Sequence, residues 1–355
     1  MPDVAPFRAV RYASPSESQT APPYDVISPE ERRRYLAADP YNVVRLTLAD
    51  SEEEAGRLYR SWLEQGVLVE EEQPAAWAVR QDYVGPDGVA RRREGILASL
   101  RAEPYETRAV LPHERTHAGP RESRLRLLRA AGAQLEPIFL LYDGEPPLAP
   151  PAGEPDLRAA GTSLWRVDGV SLPSAFAERQ LLIADGHHRY ETAVAYAAER
   201  GTPASARMMA VLVSTSDPGL EIFPTHRVFS GRPDIDPPGE EQPRVEDALA
   251  VLNAEPYDRA VAVAYRHGSA RLVRGGPGEL DVELVDRFGH EGIAYTPDAG
   301  EALRRVDAGE ADTAFLLRAT RIEDVFERAR RGEVLPQKTT YFFPKLTSGL
   351  LFHPV

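Results

Sequence analysis

Two adjacent histidines lie between an acidic and a basic residue in the run Asp185-Gly186-His187-His188-Arg189. Because Gly186 has no Cβ, the backbone can turn tightly there and approach a ligand closely. If a helix follows, its free N–H groups and its dipole favour an anion such as phosphate. Arg189 adds a bidentate donor, the imidazoles can exchange protons near neutral pH, and Asp185 can hold Mg²⁺ or orient an imidazole. A purely structural alternative is that Asp185 caps the helix and the histidines lie on its surface.

A second dense group of polar residues is HERTH at 113–117. It matches the H-E-x-x-H pattern of zinc metalloproteases, which requires both histidines on one face of a long helix. Prolines stand close by on both sides and leave no room for such a helix, so we expect a loop. In a loop, Glu114 is the first candidate for a general base, and Arg115 and Thr116 are candidate phosphate ligands.

Three further polar clusters border apolar runs: PPYDV at 22–26, PTHRV at 224–228 and QKTTYF at 337–342. Each cluster alone is typical of a turn or a capped helix end, and it belongs to a site only if the fold brings it to the Gly186 turn. On that condition they supply Asp25 as a second candidate base, and His226, Arg227, Lys338 and Thr339 as candidate phosphate ligands.

Lysine is scarce in this chain. Of 42 basic residues only Lys338 and Lys345 are lysines, and arginine takes the other positions. The compact ammonium and the planar guanidinium differ in phosphate geometry and in ease of deprotonation, so these two positions favour a role that needs an ammonium. Chance retention is the alternative.

Hydrophobic patterns predict the elements that position these residues. LLIAD at 181–185 reads as a buried strand, and apolar residues recur at helical spacing from Tyr190, so the Gly186 turn joins a strand to a helix. Further strands are expected at 138–142 and 208–215, and a hairpin at 76–102. Pro-rich runs at 143–155 and 231–243 predict loops, and alternating helix-like and strand-like runs follow them. The pattern indicates a mixed α/β (α+β) fold.

Composition narrows the class of protein. The net charge of −13 disfavours nucleic acid as a partner, and no apolar run is long enough to cross a bilayer. The first residues lack the pattern of a secretory signal, and the chain has no cysteine. We therefore expect a cytoplasmic protein with a small-molecule substrate, without a membrane or nucleic-acid partner, and with an oligomeric state that the sequence leaves open.

The chain resembles, over nearly its whole length, a bacterial and archaeal family catalogued as domain of unknown function 1015. The matching segments are APPYDVIS (21–28), YNVVRL (41–46), REGILASL (93–100), LPHERT (111–116), EPIFLLYD (136–143), IADGHHRYETAVAY (183–196), PTHRV (224–228) and PQKTTYFFPKLTSGLLF (336–352). This resemblance names no reaction.

A shorter resemblance, confined to the Gly186 turn, implies a reaction. Asp-Gly-His-His-Arg is similar to the Asp-Gly-His-Thr-Arg turn of the free-serine kinases, whose superfamily also contains sulfiredoxin and the nucleotide-binding domain of ParB partition proteins. In that superfamily the turn holds nucleotide phosphates; this chain departs from the pattern at His188, where the kinases have threonine. The resemblance implies a ParB/sulfiredoxin-like core with insertions over 1–230 and a C-terminal α/β portion over 244–355 that packs back on it.

Together these features predict a small-molecule phosphotransferase that acts on free serine or a similar hydroxylated metabolite, with ATP or ADP as donor and Mg²⁺ held by Asp185. The residues of the 186–189 turn would bind phosphate, with Arg115, Arg227 or Lys338 neutralising charge.

Two alternatives stay open. One is a nucleotide-responsive binding protein without turnover. The other is a metal-dependent hydrolase that uses His187 and Glu191, four residues apart on one helix face, with His113 or His226.

Overall fold

Runs of apolar residues form the strands of the protein, whose computed structural model describes residues 1–114, 118–169 and 171–355, with the side chains of 118–120 left aside. The strands are β1 (Val4–Ala5), β2 (Val10–Tyr12), β3 (Leu68–Glu70), β4 (Ala76–Val84), β5 (Ala90–Arg101), β6 (Val110–Leu111), β7 (Ala133–Gln134), β8 (Ile138–Tyr142), β9 (Leu157–Ala159), β10 (Thr162–Val167), β11 (Leu181–Asp185), β12 (Arg207–Ser214), β13 (Glu221–Phe223), β14 (His226–Phe229), β15 (Glu240–Gln242), β16 (Arg259–Arg266), β17 (Ser269–Pro277), β18 (Ile293–Thr296), β19 (Thr313–Leu316), β20 (Tyr341–Phe343) and β21 (His353–Pro354).

The helices alternate with these strands. They are α1 (Pro29–Ala38), α2 (Val44–Thr47), α3 (Glu52–Glu64), α4 (Ala118–Ala131), α5 (Leu172–Phe176), α6 (His187–Arg200), α7 (Val245–Ala254), α8 (Asp281–Asp286), α9 (Ala299–Asp307) and α10 (Ile322–Arg330), with short 3₁₀ turns at Glu17–Gln19, Tyr24–Val26 and Tyr105–Thr107. None of the helices in the described ranges is long and apolar enough to span a membrane.

A mixed sheet forms the centre of the first part of the chain. In the described ranges its strand order is β6-β11-β8-β12-β5-β4-β10-β9, and β1 pairs with β5. The pairs β11–β6 and β12–β8 are parallel, and the other pairs are antiparallel. The hairpin predicted over 76–102 is β4 and β5, and the strands predicted at 138–142 and 181–185 have those bounds.

Both faces of this sheet are buried, which explains why its central strands are continuous apolar runs rather than alternating ones. In β8, Phe139 and Leu141 face α10 and the end of the chain, whereas Ile138 and Leu140 face α5 and α6. The two faces pack into separate hydrophobic clusters, so β11 is fixed from both sides, and with it the turn that follows.

A second sheet lies in the C-terminal part of the chain. Its order is β15-β17-β16-β19-β14-β18, and each of these pairs is antiparallel. The Pro-rich run at 231–243 was expected to be a loop, but its end forms the short edge strand β15, which pairs with β17. The mixed α/β class is confirmed. The division at 230 and 244 stays a prediction, and β14, before that boundary, belongs to the second sheet.

Residues 335–355, here called the C-terminal segment, return to the first sheet. Leu335 bridges Glu114, β20 pairs with β13, and β21 pairs with β7. Ser348 and Phe352 make isolated bridges to Ala21 and Val10. The segment buries Phe342, Leu346, Leu350 and Leu351 against the first sheet. It therefore crosses the end of the sheet where β11 stops.

Candidate functional site

The turn between β11 and α6 has the conformation that its sequence predicts. β11 ends at Asp185, Gly186 has φ +100°, and α6 begins at His187. A Cβ on Gly186 would lie 2.7 Å from Ile138 Cγ2, and such a φ is rare for residues with side chains. Glycine is thus required twice over, for the backbone angle and for the space, and the turn can bring its N–H groups close to a ligand.

A cleft of about 240 Å³ opens in front of this turn. It is lined by Tyr24, Asp25, Glu114, Ala184, Asp185, Gly186, His187, His188, Arg189, Gln337, Lys338, Thr340 and Lys345. Segments far apart in the chain meet here: the 22–26 cluster, Glu114 of the 113–117 run, the turn, and the C-terminal segment. The fold thus brings the 22–26 and 337–342 clusters to the Gly186 turn, whereas the 224–228 cluster does not contribute to the cleft lining.

Asp185 is the centre of charge in the cleft. Its Oδ2 accepts a hydrogen bond from Arg189 at 2.7 Å, and its Oδ1 accepts one from Lys345 Nζ. Burial raises the pKa of Asp185, but Lys345 and Arg189 outweigh burial and hold that pKa well below its usual range. Burial likewise lowers the pKa of Lys345, and Asp185 more than offsets it, so the ammonium stays charged. The three charges form one partly buried cluster.

The two buried histidines of the site are neutral. His113 Nδ1 donates to Ile183 O at 2.7 Å, so its Nε2 is the acceptor, and Thr340 Oγ1 lies 2.9 Å from that Nε2. The backbone N–H of His113 donates to His187 Nε2 at 3.3 Å. Burial lowers the pKa of His113 to about 4 and that of His187 well below its usual value. At neutral pH both rings therefore act as hydrogen-bonding groups without charge.

Glu114 lines the same cleft as the turn. Burial raises its pKa, and Lys338 only partly opposes that effect. The backbone N–H of Lys338 lies 3.4 Å from Glu114 Oε1. A carboxylate with a raised pKa is a stronger proton acceptor than an ordinary one, which fits the role predicted for Glu114. Asp25, the second predicted base, is an exposed residue of the cleft lining.

Lys338 reaches the cleft from a turn with unusual geometry. Its φ is +55°, a left-handed conformation that residues other than glycine rarely adopt. Arg227, which is buried, points its NH2 to the carbonyl oxygens of Gln337 and Lys338 at 3.3 and 3.2 Å. Arg227 and Glu114 thus fix the backbone that presents Lys338.

Some predicted site residues lie away from the cleft lining. Arg227 is buried behind the Lys338 turn, and His226 Nδ1 accepts from the backbone N–H of Leu317 at 3.1 Å. Thr339 is buried, and its hydroxyl donates to Pro336 O at 2.6 Å. Arg115 and Thr116 lie outside the described residues.

Sequence reasoning did not assign Lys345, Tyr24 or Thr340 to the site. Lys345 had a signal, because it is one of only two lysines, but its partner Asp185 is 160 positions away and periodicity carries no information about such a contact. Its backbone is fixed by Arg93, a buried residue whose NH2 donates to Pro344 O at 2.7 Å. No local pattern indicated that Arg93 serves the site.

The residues described give little support to a transition-metal site. Within the described ranges, no three histidine, aspartate or glutamate side chains are grouped so that they could hold a metal ion. Both ring nitrogens of His113 are hydrogen-bonded, and Glu114 bridges Leu335 as an extended residue. The rest of the H-E-x-x-H run, 115–117, lies outside the described residues.

The chain is similar to several solved structures. A free serine kinase in complex with AMP aligns at 19% identity and a TM-score of 0.41, covering 68% of this chain and 88% of the kinase. A conserved hypothetical protein from Pyrococcus furiosus aligns at 19% identity and a TM-score of 0.34, with 66% and 87% covered. SbnI with a C-terminal truncation, from Staphylococcus aureus, aligns at 11% identity and a TM-score of 0.43, with 71% and 85% covered.

Among curated proteins none matches the chain. A family model matches residues 4–272, and its description is protein of unknown function (DUF1015). The match includes the turn, the 22–26 cluster and Glu114, and it ends before the C-terminal segment. Since it spans well over half of the chain, the protein belongs to the DUF1015 family.

Proposed function

We propose that the protein is a nucleotide-dependent phosphotransferase that acts on a small hydroxylated metabolite, such as free serine, with ATP or ADP as donor and Mg²⁺. The observation that carries the proposal is the cleft: it combines a glycine turn at a helix N-terminus, three cationic side chains and three carboxylates. Phosphoryl transfer needs positioning and charge neutralisation more than covalent chemistry, and these groups supply both.

In this proposal the nucleotide phosphates bind at the turn between β11 and α6. The first N–H groups of α6 have no acceptor within the helix, and the helix dipole adds partial positive charge at the same point. Lys338 and Lys345 reach this position from the C-terminal segment, and Arg189 reaches it from α6. Charge-assisted hydrogen bonds from these groups hold the transferring phosphoryl group and stabilise its developing charge.

The proton of the acceptor hydroxyl goes to Glu114. Its raised pKa and its place in the cleft suit a general base, and Asp25 is the second candidate for the same role. The hydroxyl oxygen attacks phosphorus, the bond from phosphorus to the bridging oxygen breaks, and the shortened nucleotide leaves.

Mg²⁺ would be held by Asp185 together with phosphate oxygens, because this ion is usually bound by one or two carboxylates and substrate phosphates. Both oxygens of Asp185 are paired, one with Lys345 and one with Arg189. Coordination by Asp185 thus requires that one of these cations turns to the phosphate instead. When bound, the ion supplies charge neutralisation at the phosphates.

Thermal unfolding with ATP, ADP, CTP and GTP, each with and without Mg²⁺, tests the proposal. A nucleotide that binds only the folded state raises Tm by mass action. At a concentration one hundred times Kd, it raises the free energy of unfolding by about 2.7 kcal/mol. We expect a clear shift for the wild type and a much smaller one for Lys345→Met, because a desolvated ammonium contact to phosphate is lost.

The matched control is Arg330→Met. Arg330 pairs with Asp143 at the surface, and both side chains are about half exposed. This variant also removes one cation from a salt bridge, but Arg330 is not among the residues that line the cleft, so the variant should keep the full nucleotide shift. If no nucleotide shifts the wild type, or if Lys345→Met shifts as the wild type does, the proposed function is wrong.

A second function, a nucleotide-responsive binding protein without turnover, is favoured by the pairing of Asp185. Lys345 belongs to the C-terminal segment and is bound to Asp185 of β11. A phosphate that attracts Lys345 would weaken this link, and nucleotide binding would then change how the segment contacts the sheet. Nucleotide-dependent shifts in Tm, together with no phosphorylated product from any hydroxylated amino acid, would favour this function.

A further inference from the structure

Thr340 and Thr339 are neighbours with opposite surroundings. The Thr339 hydroxyl donates to Pro336 O and is buried, so it is fully occupied by local structure. Thr340 is partly exposed and lines the cleft, and its Oγ1 lies 2.9 Å from His113 Nε2. Of these two hydroxyls, Thr340 is the one that faces the cleft in which the nucleotide phosphates are proposed to bind.

The geometry of His113 assigns the direction of the hydrogen bond to Thr340. Nδ1 must donate to Ile183 O, because a carbonyl oxygen only accepts, so Nε2 carries no proton and accepts from the Thr340 hydroxyl. A hydroxyl within 2.6 to 3.2 Å of a base, whose other nitrogen is fixed by a third group, is the usual arrangement of an activated nucleophile. The lone pairs of Thr340 Oγ1 are thereby left for a ligand in the cleft.

We propose that Thr340 is itself a phosphoryl acceptor, so that the chain phosphorylates its own C-terminal segment when it binds a nucleoside triphosphate. Thr340 Oγ1 attacks the γ-phosphorus, the bond from that phosphorus to the β,γ-bridging oxygen breaks, and the nucleoside diphosphate leaves. The hydroxyl proton goes to His113 Nε2. The inference rests on the proposed function, because it requires a nucleotide in the cleft.

The surroundings of His113 suit this step. Burial keeps the ring neutral at physiological pH, with a pKa of about 4, so Nε2 is free to take a proton. Phosphoryl transfer through a loose transition state needs little activation of the nucleophile, and a weak base is sufficient. The imidazolium that forms is stabilised by the carboxylate of Asp185 and opposed by Lys345, and these two charges are paired with each other.

The test uses the full chain, Mg²⁺ and ATP labelled at the γ-phosphate, without any added acceptor. We expect label on the protein, and peptide mass spectrometry should map one phosphoryl group to Thr340. Thr340→Val should remove the label, whereas Thr340→Ser should restore it as phosphoserine, since the hydroxyl is kept.

The matched control is Thr347→Val. Thr347 lies in the same segment and is also partly exposed, but its hydroxyl is paired with Thr162 Oγ1 at 2.9 Å. This variant should label as the wild type does. Label that persists in Thr340→Val, or maps to another residue, would overturn the inference.

The thermal shift with ATP, measured on the same samples, separates this inference from the proposed function. A shift without label refutes phosphorylation of Thr340 and leaves nucleotide binding intact. If ATP causes neither a thermal shift nor labelling, both the phosphorylation of Thr340 and the proposed function are wrong. A thermal shift of Thr340→Val with ATP shows that this variant still binds the nucleotide. Any loss of label in the variant is then not caused by a loss of nucleotide binding.

Discussion

At the scale of single residues, Asp185 and Glu114, two of the three carboxyl groups of the cleft, have opposite surroundings. Two cations bond directly to Asp185, and its pKa is held low. Glu114 is partly buried with weaker compensation, and desolvation raises its pKa. Pairs of titratable groups whose environments push their pKa values apart are typical of sites in which one group binds and the other moves protons. We therefore propose that Asp185 serves binding and that Glu114 accepts the proton.

Replacing Glu114 with Gln tests that assignment. The amide keeps the size of the side chain but cannot accept a proton, so we expect turnover to fall by two to four orders of magnitude, roughly the usual contribution of a general base. Nucleotide affinity, measured by calorimetry, should change little. A variant with wild-type turnover would sink the assignment and leave Asp25 as the candidate.

The pH dependence of the wild type gives a second check on Glu114. A base works only when it is deprotonated, so kcat/KM should rise with pH through the pKa of Glu114. Because that pKa is raised by burial, the rise should lie above the ordinary range for glutamate. A rate that is constant from pH 5 upwards would contradict the role of Glu114.

Residue identity alone predicted part of this cleft. The run 185–189, Glu114, Asp25 and Lys338 were selected because rare combinations of charged and small residues are visible locally, and they line the cleft. The contacts of Lys345 and Thr340 depend on how residues 335–355 cross the sheet, and neither propensity nor spacing encodes that path.

At the scale of elements, the turn between β11 and α6 depends on Gly186. In Gly186→Ala, alanine must adopt the left-handed backbone conformation of Gly186. Its Cβ would also lie 2.7 Å from Ile138 Cγ2. We expect it to lower the free energy of unfolding by roughly 2 to 5 kcal/mol, the sum of the conformational cost and overpacking. Denaturant unfolding measures this directly.

The same helix offers the control. Gly201, the C-cap of α6, has φ +65°, but a Cβ there would meet no atom within 4 Å. Gly201→Ala should therefore cost only the conformational part, about 1 to 2 kcal/mol. Equal losses in the two variants would mean that the contact with Ile138 does not constrain the turn.

Elements were easier to predict than their arrangement. β8 and β11 have the predicted bounds, because a short apolar run between turn residues is a strong local signal. The order of the strands was not predicted, since β12 lies between β8 and β5 and pairs with residues 72 positions away in β8 and more than 100 positions away in β5. Local propensity does not determine such pairing.

At the scale of the whole molecule, the end of the chain completes the structure. β21 pairs with β7, and His353 lies between Phe7 and Ser99: its ring stacks on Phe7 at 4.6 Å, and its Nε2 is 3.1 Å from Ser99 Oγ. The C-terminal segment also carries both lysines of the cleft. The site is therefore assembled only when the first and last parts of the chain are folded together.

Burial of His353 makes global stability depend on pH. Burial lowers its pKa to about 4 in the folded protein, whereas the unfolded chain has the ordinary value near 6.5. Between these values the unfolded state binds more protons, so this residue's contribution to stability is lost as pH falls from about 6.5 towards about 4. Glu114 and Glu136, whose pKa values burial raises, act in the opposite direction.

Replacing His353 with Gln isolates this effect. The free energy of unfolding should then vary less steeply with pH between 6.5 and 4, by up to about 1.4 kcal/mol per pH unit, the equivalent of one proton. Lost packing against Phe7 lowers stability equally at every pH, so only the slope reports titration. Urea unfolding at several pH values gives both quantities. If wild type and variant show the same slope, His353 does not titrate on unfolding, and the end of the chain is not held as tightly as its contacts indicate.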